Sequence, residues 1–526
     1  MQPPFLLRAA ILAALLLAAT LTRAESFFFK TRSQTEVAPG TKRYHTTTKR
    51  AEWDATRTAV IICDMWDDHY CRNSARRVAE MAPRMNEVVK KARAAGALII
   101  HCPSGCMNFY AATPQRLLAQ SAPKLGTTIP LEGWCHLDST REAEMPIKFD
   151  QPCDDPEPLR PRIRFYNRQI ESIEIAPGDA VAEMYEPFYL MKSRGIENVL
   201  VMGVHTNFCV LGRPFGIRQL VTQGLQVALV RDLTDSMYNP AEPPFLNHFT
   251  GNDLILSHVE RHWCPTVTSG DILGDGKKFC FPDDQRPHLV IVTAEDEYQT
   301  EETLPAFALA ELGRTFKISM VYGDAEVREN LPGVEVVKEA DVLLLSVRRR
   351  NLPPEQLDLF RAHIAAGKPL VGIRTASHPF HQRDKAPGPG LDEWREFDAT
   401  VLGGHYTGHH GNEIKTFAKI AVEAAEHPIL ARIAPEEFAT FGSLYQNTPL
   451  PTGSEVLMTG RAEGVAQSEP VAWVRSGPGG GKVFYTSLGH RGDFEVPEFR
   501  ALLRNAVHWA ADVPTLIEAK PSGRRP

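Results

Sequence analysis

Short, wholly apolar runs followed by segments of helical apolar spacing recur along this chain in two separate series. In the first, Thr58-Ala-Val-Ile-Ile-Cys63 reads as a buried strand. Ala75 to Ala95 then carries Val78, Met81, Met85, Val88, Val89 and Ala92 on one helix face, and Ala97 to His101 is the next strand. After an irregular Pro- and Cys-rich insertion of about 60 residues, the rhythm resumes: a helix near Ala180 to Arg194, a strand Asn198 to Gly203, a helix Thr206 to Thr222 and a strand Gln226 to Arg231. The second series has strands at His288 to Thr293, Lys317 to Val321, Asp341 to Leu345 and Pro369 to Ile373, with helices near Thr303 to Leu312 and Pro354 to Ala366. Later segments at Ile414 to Ala421, Glu455 to Met458, Pro470 to Val474 and Lys482 to Thr486 read as an antiparallel edge closed by a helix Val496 to Ala511. Strand and helix alternation of this kind builds mainly parallel sheets, whose ligands bind at the carboxyl ends of the strands.

At 526 residues the chain exceeds what one core normally holds, so two domains are expected. The polar, Pro-containing stretch Phe281 to Pro287 supplies the boundary: 25–284 for the first domain, 285–515 for the second and 516–526 as a flexible tail. Residues 1–24, with Arg8, an apolar run from Ala9 to Leu21 and Thr22-Arg23-Ala24 before Glu25, read as a signal peptide, with an uncleaved anchor as the alternative. A periplasmic or secreted protein follows, with no membrane span after signal removal. A net charge of −6, from 58 basic and 64 acidic residues, leaves no electrostatic footprint for nucleic acid. All nine cysteines fall between Cys63 and Cys280. With Cys209 free, the other eight could form up to four disulfides in an exported protein.

Two residues stand at strand ends of the first series. Asp64 follows the first strand, and Gly203-Val204-His205-Thr206-Asn207-Phe208-Cys209-Val210 carries a cysteine into the first turn of a helix, where the orphan N–H groups favour thiolate. Cys209 is either a nucleophile or a buried structural thiol on position alone. The block resembles the isochorismatase-like cysteine hydrolases, which include nicotinamidases and N-carbamoyl amidohydrolases, over roughly Thr58 to Asp235. That resemblance implies Asp64 as general base, Cys209 as nucleophile, a cis peptide at Val204-His205 and N–H groups near Cys209 as oxyanion donors. The family's lysine has no counterpart here; Arg168, or else Arg164, stands in the matching stretch as the cation. Asp67, Asp68 and His69 could join His101 or His136 in a metal site, or line the pocket and stabilise its loops. Arg213-Pro-Phe-Gly-Ile-Arg218 either pins the insertion or forms a solvated helix face.

The second series resembles the ThuA-like (trehalose utilisation) domains, which share the class I glutamine amidotransferase fold, on Gly372-Ile-Arg-Thr-Ala-Ser-His378, Gly403-Gly404-His405 and Gly481 to His490. The turn that would present a nucleophilic cysteine presents Arg374, so glutaminase chemistry by that route is excluded. The remaining polar group is Glu295, Glu297, Arg374, His378, His405 and His490, with His409 and His410. It suits a sugar or a divalent metal such as zinc or manganese, or else consists of hydrogen-bonded loop residues. Ser476 to Lys482 lacks the phosphate-loop pattern and reads as a hairpin turn.

Together these readings give an α/β protein of two Rossmann-like three-layer domains with mainly parallel sheets, the second with an antiparallel edge. The expected activity is an exported hydrolase of a small amide or related acyl C–N bond. Two alternatives are carbohydrate-derivative processing in the second domain with the first supporting it, and a non-catalytic binding protein. The partner is a small-molecule substrate, sugar derivatives included, and a homo-oligomer is compatible with the sequence. No cofactor is certain beyond the candidate divalent metal of the second domain.

Overall fold

The computed structural model describes residues 25–515; the expected signal segment 1–24 and tail 516–526 lie outside them. The chain forms two compact units. One gathers most of the residues up to Phe281, and the other gathers residues 282 onward together with residues 34–47 and 240–253.

The first unit is built on β1 (Ser26–Glu36), β2 (Tyr44–Asp54), β3 (Thr58–Cys63), β4 (Leu98–Cys102), β5 (Ala180–Val181), β6 (Asn198–Val204), β7 (Gln226–Asp235) and β8 (Thr266–Val267). They lie in one sheet in the order β2-β1-β8-β7-β6-β3-β4-β5. The pairs β3 with β4, β3 with β6, β6 with β7 and β7 with β8 are all parallel, and β1 closes antiparallel on β8. Every residue of β3, β4 and β6 is buried, as central strands covered on both faces require. Gly203 permits the closest approach. A Cβ there would lie 2.1 Å from the carbonyl oxygen of Cys63, at φ +115, so only glycine fits beside the end of β3.

Helix α1 (Arg72–Ala94) buries Val78, Met81, Met85, Val88 and Val89, the face its spacing predicted. The helix expected near Ala180 begins later, as α2 (Glu186–Ser193), because Ala180 and Val181 pair with Ile100 and His101 instead. The helix expected over Thr206 to Thr222 is interrupted: a tight turn Thr206–Val210 and a second segment Ile217–Thr222 flank Pro214, whose ring cannot continue a helix.

The second sheet contains β9 (His288–Ala294), β10 (Lys317–Tyr322), β11 (Val342–Val347), β12 (Leu370–Ile373), β14 (Thr416–Ile420), β15 (Phe438–Thr440), β17 (Glu455–Ala462), β18 (Glu469–Ser476) and β19 (Lys482–Thr486), while β13 (Gly408–His409) pairs separately with β16 (Tyr445–Gln446). The order is β10-β9-β11-β12-β19-β18-β17-β14-β15. The first five are parallel neighbours, and β18, β17, β14 and β15 continue antiparallel. Two α/β sheets, both mixed and largely parallel, are therefore present. Residues 477–481 turn β18 back onto β19, with Ser476 opposite Lys482, so this glycine-rich stretch is a hairpin.

The long insertion, residues 121–179, has almost no regular structure and is held by buried ion pairs instead. Arg77 of α1 joins Asp154 at 2.8 Å to Asp235 at 2.7 Å, with all three side chains under a tenth exposed. Glu142 is fully buried and accepts hydrogen bonds from Arg218 Nε and Nη2, His258 Nε2 and Trp263 Nε1. Arg218 thus pins the insertion. Burial alone would raise the Glu142 carboxyl, but the bonds from His258, Arg218 and Trp263 hold it down at about 2. Glu142→Gln leaves the buried Arg218 charge uncompensated, and urea unfolding at pH 7 is expected to lose about 3–5 kcal/mol. Because the folded carboxyl titrates below its unfolded value of 4.5, this stability is complete above pH 4.5 and lost as pH falls towards 2. The variant's stability should therefore fall less steeply than the parent's over that window, the other lowered carboxylates still contributing.

Candidate functional site

The carboxyl ends of β3 and β6 adjoin in the first sheet and carry the two residues singled out in sequence. Asp64 is fully buried and adopts a left-handed backbone (φ +47), a conformation an aspartate holds only where its surroundings enforce it. Its Oδ1 accepts the Ser104 N–H at 2.9 Å. Its Oδ2 accepts Arg213 Nε at 3.1 Å. Cys209, 2% exposed, neighbours both Asp64 and Arg213. Burial, and then the negative charge of Asp64, push its thiol well above the ordinary range, while Arg213 acts the other way. The same carboxylate, together with burial, raises the Cys63 and Cys102 thiols. The resting site is therefore a protonated thiol beside a compensated carboxylate. The Val204–His205 peptide is cis, and His205 Nε2 lies 2.5 Å from Ser74 Oγ.

The cation at this site is Arg213, not Arg168. Arg168 lies 3.7 Å from Asp67 and 2.6 Å from Glu171, and its guanidinium stacks over Phe109. Arg164 lies over the Tyr166 ring. Arg213 reaches Asp64 because it stands one turn beyond Cys209, its N–H bonded to the Cys209 carbonyl. The spacing of four from the nucleophile was the available signal, since residues four apart share a helix face.

Aromatic side chains surround the pair. Trp134 of the insertion packs on Phe208 at 4.6 Å and under the Arg213 guanidinium at 5.5 Å. A Cβ on Gly212 would meet Trp134 at 2.7 Å, so the glycine makes the seat for that ring. Phe149 stacks on Phe208 at 4.9 Å, and Trp66 on Tyr166 at 4.2 Å. None of these insertion aromatics carried a motif. Asp67 and Asp68 stabilise the loop, accepting from the Asn167 N–H and from Arg160. His69 accepts the Cys71 N–H, and His101 is held between Gln169 and Asp179. These four do not converge on one point.

All nine cysteines are free thiols. Among the described residues, the group that could hold a metal ion is Cys71, Cys153 and Asp155, whose ligand atoms lie within 4.8 Å of one another. Two thiols and a carboxylate suit a soft divalent ion such as zinc. In the structure Asp155 also accepts the N–H groups of Arg72 and Asn73 at the start of α1. This group lies in the first unit, which overturns the expectation of a divalent metal in the second. The reason is visible there. Glu295 is saturated by the N–H groups of Glu297, Tyr298 and Thr300, Glu297 pairs with Arg348, and His378 faces Arg349 and Arg348, whose charge repels a cation.

In the second unit Arg374 is buried (1% exposed) directly after β12, between the rings of Tyr298 at 4.1 Å and Tyr445 at 4.6 Å. His378 stacks on Tyr406 at 4.8 Å, and Tyr406 meets Tyr445 at 4.5 Å. His490 caps the turn after it through Gly492 N–H, with its ring 5.8 Å from Tyr298. His405 is exposed, and His409 bonds the His410 carbonyl. The tyrosines carry no sequence signal because Tyr298 and Tyr406 stand in separate loops and Tyr445 in the short β16, far apart along the chain.

Residues 288–510 match the family model described as ThuA, trehalose utilisation. Among solved structures, a ThuA-like protein from Bacteroides uniformis is 18% identical, covers 44% of this chain and 95% of its own, and has a TM-score of 0.33. A cysteine hydrolase from Pseudomonas syringae pv. phaseolicola is 15% identical, with 42% and 92% covered and a TM-score of 0.27. An isochorismatase family protein from Burkholderia thailandensis is 13% identical, with 42% and 95% covered and a TM-score of 0.25. No curated protein matches the chain in sequence. Over residues 288–510 the chain is thus similar to the ThuA family, and it also bears a distant likeness to a cysteine hydrolase and an isochorismatase family protein.

Proposed function

We propose that the first unit hydrolyses the C–N bond of a small amide through Cys209. The observation that carries this reading is a thiol beside a fully buried carboxylate whose charge is compensated by Arg213. Buried, strained and charge-coupled groups at strand ends are the arrangement catalysis needs and packing does not. In the reaction, Cys209 Sγ attacks the amide carbon and its proton passes to Asp64. The leaving amine takes that proton as the C–N bond breaks, and water, deprotonated by Asp64, cleaves the thioester. Backbone N–H groups around Cys209 would receive the oxyanion. Arg213 holds Asp64 in place, standing where the family the motif resembles has a lysine in its triad; it relays no proton. The aromatic wall of Trp134, Phe208 and Phe149 selects a flat or apolar acyl group. Each unit is read as a Rossmann-like three-layer domain, and export from the cytoplasm is part of the same proposal.

A second reading concerns the other unit. Its match to the ThuA model, together with the tyrosine and histidine surface around Arg374, supports a carbohydrate ligand there.

Ammonia release from a panel of nicotinamide and N-carbamoyl compounds tests the first reading. Cys209→Ala should abolish turnover, and Asp64→Asn should lower kcat/KM by about 10²–10⁴. Arg213→Lys should retain more activity than Arg213→Gln. Turnover unchanged in Cys209→Ala would remove the proposal.

The raised thiol generates a separate expectation. At pH 7 Cys209 is protonated, so its labelling by iodoacetamide should climb through pH 9 rather than level off below 7. Asp64→Asn removes the neighbouring negative charge and leaves Arg213. Labelling at pH 7 should then speed up while hydrolysis falls; slower labelling would contradict a carboxylate that keeps the thiol protonated.

A further inference from the structure

Three loops follow adjacent parallel strands of the second sheet: the turn after β9 with Tyr298, the turn after β11 with Arg348 and Arg349, and the turn after β12 with Arg374 and His378. In a parallel sheet this is the edge at which ligands bind. What distinguishes it here is positive charge without a counterion. Arg374 is buried, and among the described residues it forms no ion pair with a carboxylate; its electrostatic neighbours are Tyr445, Tyr298 and, more weakly, Asp493. Its Nη1 donates to the Ser487 carbonyl at 2.8 Å and its Nη2 to Ser443, both neutral acceptors, and its Nε has no partner. Arg349 has a left-handed backbone (φ +48), no carboxylate partner either, and a buried Nη1 without a hydrogen bond. The two share one ring, Tyr445: Arg374 lies against Tyr298 and Tyr445, and Arg349 near Tyr406 and Tyr445.

The acids nearby form no ion pair with these two arginines, although the Asp493 charge favours the Arg374 cation from a distance. Glu295 is taken up by backbone N–H groups, and Glu297 by Arg348. Asp493 accepts the N–H groups of Gly489, His490 and Phe441. Asp398 accepts the Tyr406 N–H and is pushed up by burial to about 7. The cations crowd one another: burial and then Arg349 and Arg348 depress His378, and burial and then Arg383 depress Arg349. A buried cation left without a counterion is costly unless a ligand supplies one. A planar guanidinium matches a carboxylate or phosphate in two-pronged geometry.

We propose that the ThuA-like domain binds an anionic sugar, its carboxylate or phosphate received by Arg349 over Tyr298 and Tyr406, with buried Arg374, against the Tyr298 ring, adding its charge. This rests on the carbohydrate reading of that unit and adds the charge of the ligand. The tyrosine faces pack on the sugar's C–H groups, and their hydroxyls, with His378, meet its hydroxyls.

The test is calorimetric titration of the full-length protein with D-glucuronate, glucose 6-phosphate and glucose. One of the two anions is expected to bind at least about tenfold more tightly than glucose, weakening as salt is added, and which anion does so identifies the oxyanion. Arg349→Gln, at a half-exposed position, should bring that anion to the level of glucose, while Arg349→Lys should keep much of the preference. Glucose binding as tightly as both anions would overturn the charge assignment and leave the carbohydrate reading standing. Binding of none of the three would overturn both. An anion preference untouched by Arg349→Gln would also overturn the proposal, because the oxyanion would then be held elsewhere.

Discussion

A carboxylate with no access to water must be compensated where it stands, and in the first unit the burial of Asp64 organises everything around it. It takes one N–H from the loop after β4 and one guanidinium from beyond the nucleophile turn. To deliver that guanidinium, the chain after β6 must run Cys209 and Arg213 down one face, and Pro214 then ends the segment. The insertion covers the pair with Trp134, which closes over Arg213 and occupies the space left by Gly212. The buried charge and the fold of the insertion are thus one problem with one solution. The same solution bears on the thiol: burial first, and then the negative charge of Asp64, raise it, while Arg213 acts the other way.

The strands were legible because parallel strands covered on both faces must be apolar throughout, and runs such as residues 58–63 and 342–347 have no other use. Asp64 and Cys209 were legible because both follow such strands directly. The hairpin of β1 and β2 was not, because Lys30 to Gln34 and Thr46 to Arg50 carry few apolar residues and only Phe27, Phe29 and Trp53 are deeply buried. The cation was placed on Arg168 by its distance from the cysteine along the chain. Distance along an irregular insertion says little about position in space, whereas four residues along a helix says a great deal. Glu142 and the tyrosines of the second unit escaped for the same reason: their partners are brought together by long-range packing that no local pattern records.

The two units place opposite charges at equivalent points of their sheets. After β3 the chain buries an acid and supplies a base to balance it, and the reactive group beside them is a thiol. After β12 it buries a base, with a similarly left-handed backbone at Arg374 (φ +40), and supplies only carbonyls, a hydroxyl and tyrosine faces. A buried carboxylate beside a thiol can exchange a proton with it, which is what the proposed bond cleavage needs. An unbalanced buried cation has no proton to give, because an arginine does not titrate near neutrality, and it is completed by a ligand rather than by a reaction. The electrostatics of the second site therefore favour recognition over catalysis by Arg374 itself. Any chemistry there falls to groups that can titrate.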